Sequence, residues 1–234
     1  YLIVDCVPAD VKAPSGHRHN SRLSFELFAL DKSLIVDPGT FVYTSDSNMR
    51  NLFRSTAYHN TITIDNEEQN RYTEKGLFNL GFEARVTVHK WESNEHYDLL
   101  DAEHHGYHRL DNPVTHRRAI LFDKENKLWL IRDIITGTGF NHINSYFHFA
   151  PLTVETNTLF PLTVNTKTNG ANLAIMPLEA TDLYLNIEEG WISPRYGIKI
   201  PAPVAKYYKS ADIPAEFTFA LIPYTGELNI DDIM

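Results

Sequence analysis

The chain has 234 residues, 22% of them charged, with a formal net charge of −9 and a single cysteine, Cys6. That acidity excludes nucleic acid as the expected partner, because a nucleic-acid footprint is basic; one cysteine excludes an internal disulfide. No run of eighteen apolar residues occurs, so no transmembrane helix is expected.

Residues 1–15, which include Pro8 and Pro14, read as a linker from an upstream domain. Tyr1 is preceded neither by Met nor by a basic and apolar leader, so no signal peptide is legible. Residues 16–234 read as one β-sandwich domain. A candidate subdomain boundary lies near residues 156–170, where Thr and Asn are dense. Residues 23–30 are apolar at odd positions, Asp31-Lys32 turns, and residues 33–36 return, which makes a hairpin. Residues 61–64 alternate and stop at Asp65-Asn66, and residues 84–90 have period two. A second hairpin is expected from residues 118–122, a turn at 123–126, and residues 128–133. Later strands are expected over residues 145–149, 173–176, 183–187 and 216–222. Pro201-Ala202-Pro203 is expected to break any strand, since proline removes a ladder donor. No window holds 3.6-residue apolar periodicity over three turns. Together these point to an all-β, two-sheet antiparallel sandwich with under about a tenth helix.

Three residues stand out by type. Asp37 follows His19 by 18 positions, and His59 follows Asp37 by 22. Imidazole nitrogen and carboxylate oxygen are ligands that zinc accepts, three protein ligands and a water being a common set. Among 11 histidines such a triplet also arises by chance. His17 precedes His19 by two, so on an extended segment both project to one face. One could then hold metal while the other faces a substrate.

The words around these residues occur in a set order. They are Gly16-His17-Arg18-His19-Asn20, Leu23-Ser24-Phe25-Glu26-Leu27, Ile35-Val36-Asp37-Pro38-Gly39-Thr40, Val42-Tyr43, Phe53-Arg54-Ser55-Thr56-Ala57, His59-Asn60-Thr61, and Asp65 with Gln69. In this order they resemble the C-terminal β-sandwich domain of the heparinase II/III-like family of polysaccharide lyases, most densely over residues 14–70. His104-His105-Gly106-Tyr107, Arg117-Arg118 and Phe147-His148-Phe149 are similar too. Ser21 departs from the pattern, where the family often carries an acidic residue.

The resemblance implies cleavage of uronic-acid-containing polysaccharide by β-elimination. Such a reaction needs the substrate carboxylate neutralised, a base for the adjacent ring proton, and an acid for the leaving oxygen. His and Tyr suit proton transfer, and Arg suits the carboxylate. By resemblance His17 transfers the proton, while His19, Asp37 and His59 hold zinc. Tyr43 is a second candidate for proton transfer, its alternative being a ring that fills the sandwich face. Arg54 is a candidate for binding the substrate carboxylate, or else pairs with a protein carboxylate. Arg18, Arg22, Arg50 and Arg54 could form a basic patch on this acidic domain. Elimination uses no hydrolytic water, so the zinc is expected to be structural, pinning the His17 segment to those of Asp37 and His59. His104, His105 and His148 are expected to be structural or groove-lining.

Much of the family's active site comes from an N-terminal (α/α) toroid, and nothing in this chain resembles it. An upstream toroid is therefore an expected partner, alongside an acidic polysaccharide; the isolated chain is expected to be inactive. Family resemblance implies a periplasmic or secreted location. Heparin, heparan sulfate, alginate and a host exopolysaccharide all remain open as substrates, as does the oligomeric state. Two other readings stand beside the lyase: a noncatalytic carbohydrate-binding or scaffold module, and a cupin-type metal enzyme. The cupin reading rests on His17-x-His19 followed by Glu26, but that spacing is long for a cupin and leaves Asp37-Pro38-Gly39 without a place.

Overall fold

Alternating apolar residues and frequent turns make 55% of the described residues strand and 6% helix, in keeping with an antiparallel sandwich. The structure, a computed structural model, describes residues 1–7, 15–73, 76–158 and 160–228. One layer is an eight-stranded antiparallel sheet. Its order is Thr153–Thr156 (β10), Val164–Lys167 (β11), Ala171–Pro177 (β12), Ala215–Thr225 (β15), Leu128–Gly137 (β8), Val114–Asp123 (β7), Tyr97–Tyr107 (β6) and Val86–Ser93 (β5). The other layer has two parts. Leu2–Val4 (β1), Phe25–Ala29 (β2) and Lys32–Ile35 (β3) form one sheet. Tyr184–Arg195 (β13), Ile198–Asp212 (β14), Phe140–His148 (β9) and Ile62–Ile64 (β4) form the other, in that order.

All three sheets feed one core. Phe147 of β9 packs against Phe25 of β2 and Phe219 of β15, with ring centroids 6.1 and 5.0 Å apart. Burying each such ring contributes roughly 1.5–3 kcal/mol. The second layer splits at a seam beside β9, where, among the described residues, the single bridge Ile35↔Phe149 joins β3 to the end of β9. One side chain closes the seam. Asn60 donates through Nδ2 to the carbonyls of Phe25 (2.8 Å) and Val36 (3.0 Å), and its Oδ1 accepts from His148 N (2.6 Å). A buried amide thus supplies the hydrogen bonds that a strand would have made.

Several expectations need correction. The first hairpin turns at Leu30-Asp31, not at Asp31-Lys32, because Ala29 pairs with Lys32 and both loop residues have positive φ (51° and 60°). β14 runs through Pro201-Ala202-Pro203. Its pairing with β9 starts only at Val204, and the Pro203 carbonyl accepts from Phe149 N, so the prolines' missing donors face the side where no ladder exists. Residues 2–4 of the expected linker are a strand of the domain, and residues 8–14 lie outside the described residues. The stretch near 156–170 carries β11, which pairs with β10 and β12 and sends Val164 into the main core.

Candidate catalytic and metal-binding site

Short turns, rather than strands, deliver the site. His17 closes a 3-10 turn, Ser15–His17, so the extended segment expected for it is not formed. The helix Ser47–Phe53 (α1) starts at Asp46, whose carboxylate caps Met49 N at 3.0 Å. Its residues Arg50 and Phe53, three apart, form the buried face. A second 3-10 turn, Thr56–Tyr58, leads directly into His59.

The three expected ligands converge. Ligand atoms of His19, Asp37 and His59 all lie within 4.8 Å of one another. His19 Nδ1 is 3.2 Å from His59 Nε2, which is 3.4 Å from Asp37 Oδ2. Two ligands held about 2.0–2.1 Å from a tetrahedral ion stand about 3.3–3.4 Å apart, so type and spacing both fit zinc. The shell around them is ordered. His59 Nδ1 donates to the Ser55 carbonyl at 2.6 Å, leaving Nε2 free to ligate, and Asp37 Oδ1 accepts from Gly39 N at 2.8 Å. Burial, then His59, Arg50, Arg54 and His17, push the His19 pKa down to about 2, so its ring is neutral as a ligand must be. One contact works against the metal. Arg50 Nη1 sits 3.2 Å from His19 Nε2, which would carry the proton once Nδ1 ligates. Without an ion, a donor chain runs from Arg50 to His19 to His59 to Ser55; with one, Arg50 must move off His19 Nε2.

The catalytic candidates also meet. His17 is exposed and stands edge-on to Tyr43, with ring centroids 5.8 Å apart. Tyr43 is half-buried between Phe78 (6.0 Å) and Tyr196 (5.6 Å), and the Arg50 guanidinium lies 5.3 Å from its ring centroid. Arg54 does not fit its expected role. It is 1% exposed, its Nε donates to Asn51 Oδ1 (3.0 Å), its Nη1 donates to the Leu77 carbonyl (2.6 Å), and it covers the Tyr72 ring. The four arginines therefore part company. Arg22 pairs with Asp5 at 2.7 Å, Arg50 and Arg54 are buried, and Arg18 lies over Phe82. Ser21 donates to the same Asp5 at 2.6 Å.

Behind the site lie clamps that residue types did not announce. Asn20 donates to Glu68 Oε2 (2.7 Å), and the same oxygen accepts from the backbone and hydroxyl of Thr56. Deeper, the fully buried Asp133 accepts from Arg118 Nε (2.7 Å) and Nη2 (2.8 Å) and from His116 Nε2 (2.7 Å). Arg118 Nη1 in turn donates to the carbonyls of Leu23 and Asn60, each at 2.6 Å, and so holds the residue after His59. His104 lies 3.2 Å from His116 and His148 Nε2 bonds the Ala57 carbonyl at 2.9 Å, so both are structural; His105 pairs on the surface with Glu103. The signal available for this network was Arg117-Arg118 in a strand whose alternate residues point inward.

A model of the heparinase II/III-like C-terminal family matches residues 1–225. The chain is 31% identical over 226 residues to a heparin-sulfate lyase of Pedobacter heparinus, which covers 92% of this chain and 31% of that protein. A heparin-sulfate lyase of Bacteroides stercoris is 27% identical over 177 residues, 74% of this chain and 24% of that one. The crystal structure of heparan sulfate lyase HepC from Pedobacter heparinus superposes with a TM-score of 0.81 at 24% identity, over 97% of this chain and 33% of that one. The last likeness establishes the sandwich fold. The chain spans about a third or less of the length of these relatives. Among the described residues, no helix is long and apolar enough to cross a membrane.

Proposed function

The chain belongs to the heparinase II/III-like family as a C-terminal domain, and on that premise we propose that it is the sandwich part of a lyase cleaving uronic-acid-containing polysaccharide by β-elimination. The observation that carries the reading is the edge contact of exposed His17 with Tyr43, beside three converged metal-ligating side chains. In the reaction the C5–H bond of the uronate breaks, a C4=C5 double bond forms, and the C4–O bond breaks with protonation of the leaving oxygen. His17 takes the C5 proton, and the Tyr43 hydroxyl gives the proton to the leaving oxygen. Ring packing on both sides of Tyr43 fixes its direction in advance. Zinc, held by His19, Asp37 and His59, supplies a fixed cross-link between three loops and no proton or nucleophile.

The remaining groups come from an upstream (α/α) toroid, so the isolated chain is inactive and the intact protein acts in the periplasm or outside the cell. The names of the relatives make heparan sulfate the first polymer to test, with alginate as the unsulfated comparison. A noncatalytic carbohydrate-binding module is the second reading. The test uses the full-length protein, the absorbance of unsaturated product, and metal analysis. His17→Ala should lose about 10²–10⁴ in turnover with metal retained, whereas His19→Ala should lose metal. Wild-type turnover in His17→Ala would remove His17 from the mechanism, and no cleavage by the wild type would favour the binding module.

A further inference from the structure

The β13–β14 hairpin reaches across to the site, and its tip is fastened there. Ser193 N donates to the Pro38 carbonyl at 2.7 Å, and Gly197 N donates to the Phe41 carbonyl at 2.8 Å. Pro38 and Phe41 lie on the loop between Asp37 and Tyr43. Gly39 makes the approach possible: its φ is +77°, and a Cβ there would stand 2.6 Å from the Ser193 carbonyl oxygen. The tip places Tyr196 against Tyr43, with centroids 5.6 Å apart and planes 27° from parallel. Tyr43 in turn touches His17. Tyr196 is 61% exposed, so a large aromatic surface faces solvent one ring away from the proton-transfer histidine.

Charge accompanies the ring. Arg195 precedes Tyr196 and is exposed. Lys199 is half-buried, with Nζ 4.2 Å from the Trp191 ring centroid and 5.5 Å from that of Phe41. Among the described residues, neither cation is ion-paired, although the chain as a whole carries a net charge of −9. An aromatic face is electron-rich, and the C–H face of a pyranose ring is its complement. A cation of the same hairpin tip with no carboxylate partner complements a carboxylate or sulfate on the same sugar.

We propose that the tip of the β13–β14 hairpin is a sugar subsite adjoining the reacting one, in which Tyr196 carries the face of an anionic pyranose and Arg195 and Lys199 bind its acidic group. The proposal rests on the lyase reading for the neighbouring site but concerns binding, so the two are separable. It predicts that longer chains bind better than the shortest cleavable oligosaccharide.

Two measurements on the full-length protein test it. In steady-state kinetics on heparan sulfate and alginate, Tyr196→Ala should raise KM about tenfold, with kcat changing much less, and Tyr196→Trp should restore KM. In native gels containing either polymer, migration of the wild type should be retarded, and Tyr196→Ala and Arg195→Ala should each relieve the retardation. The gels need no turnover, so they read the subsite even if no polymer is cleaved and the lyase reading fails. An unchanged KM together with unchanged retardation in Tyr196→Ala would overturn the subsite. So would a fall in kcat alone, which would make Tyr196 a prop for Tyr43, or no retardation of the wild type by either polymer.

Discussion

Replacing Asp133 by asparagine removes one charge from a fully buried polar cluster of the domain while keeping its volume. The carboxylate is fully buried and accepts three hydrogen bonds, two from Arg118 and one from His116. Burial alone would raise its pKa; the Arg118 charge and the His116 and Arg118 hydrogen bonds override this and hold it down at about 2. The folded value lies below the unfolded one of about 3.9, so the ionised form stabilises the fold above about pH 4. That contribution is lost as pH falls toward 2. By linkage, a depression of this size is worth about 2–3 kcal/mol. Removing the charge also strands the Arg118 guanidinium in the core, and breaking a buried pair costs about 3–5 kcal/mol. Asparagine retains one acceptor, so the lower end applies, about 3 kcal/mol. For a domain of this size that lowers Tm by roughly 6–12 °C. The assay is circular-dichroism melting and urea unfolding of the 234-residue chain at pH 7. A loss under about 1 kcal/mol, well short of the cost of breaking a buried pair, would refute the assignment. Pairing Asp133→Leu with Arg118→Met should recover part of the loss, since both charges leave together. Recovery stays partial because the Leu23 and Asn60 carbonyls lose their donor.

Asn60→Ala deletes two donors and an acceptor at the seam and should cost roughly 3 kcal/mol or more in urea unfolding, the unmatched Phe25, Val36 and His148 groups being buried. Acid should act early. Burial, before any neighbouring charge, pushes His19 down to about 2, His148 to about 3, and His104 well below its ordinary value. These rings stay neutral in the fold and gain protons near pH 6.5 only when unfolded, so stability falls as pH drops through that value. The slope is about 1.4 kcal/mol per pH unit for each ring. Urea midpoints measured in chelator that stay level from pH 7 to pH 5 would contradict it.

Strand period and ordered motif words made the sandwich and the His19–Asp37–His59 set readable from residues alone. What escaped was whatever reversed the usual meaning of a residue type. β6 turns Leu100, Ala102, His104 and Gly106 inward, and half of that face is not apolar, so its alternation stayed hidden. β14 holds two prolines, harmless only because β9 ends before them. Arg54 sits in a motif beside the site and looked like a substrate clamp, yet its donors go to backbone carbonyls and Asn51. Asn60 was visible as part of His59-Asn60-Thr61, but its task of closing a gap between sheets is a tertiary one. Tyr196 lies 153 positions from Tyr43, and only the hairpin brings the two rings together.

The reach of Arg118 bears on when the site comes into being as the chain is made. His19, Asp37 and His59 are synthesised early, but the Asn60 carbonyl beside them waits for a guanidinium 58 positions later, itself neutralised by a carboxylate at position 133. Contacts this distant form late, because a long loop must close before they return any energy. A nascent chain halfway out of the ribosome therefore holds all three side chains and their local clamps at Ser55, Gly39 and Glu68, but not the Arg118–Asp133 anchor behind them. The fixed spacing of the three side chains belongs to the finished sandwich, after β7 and β8 have paired and Arg118 and Asp133 have met.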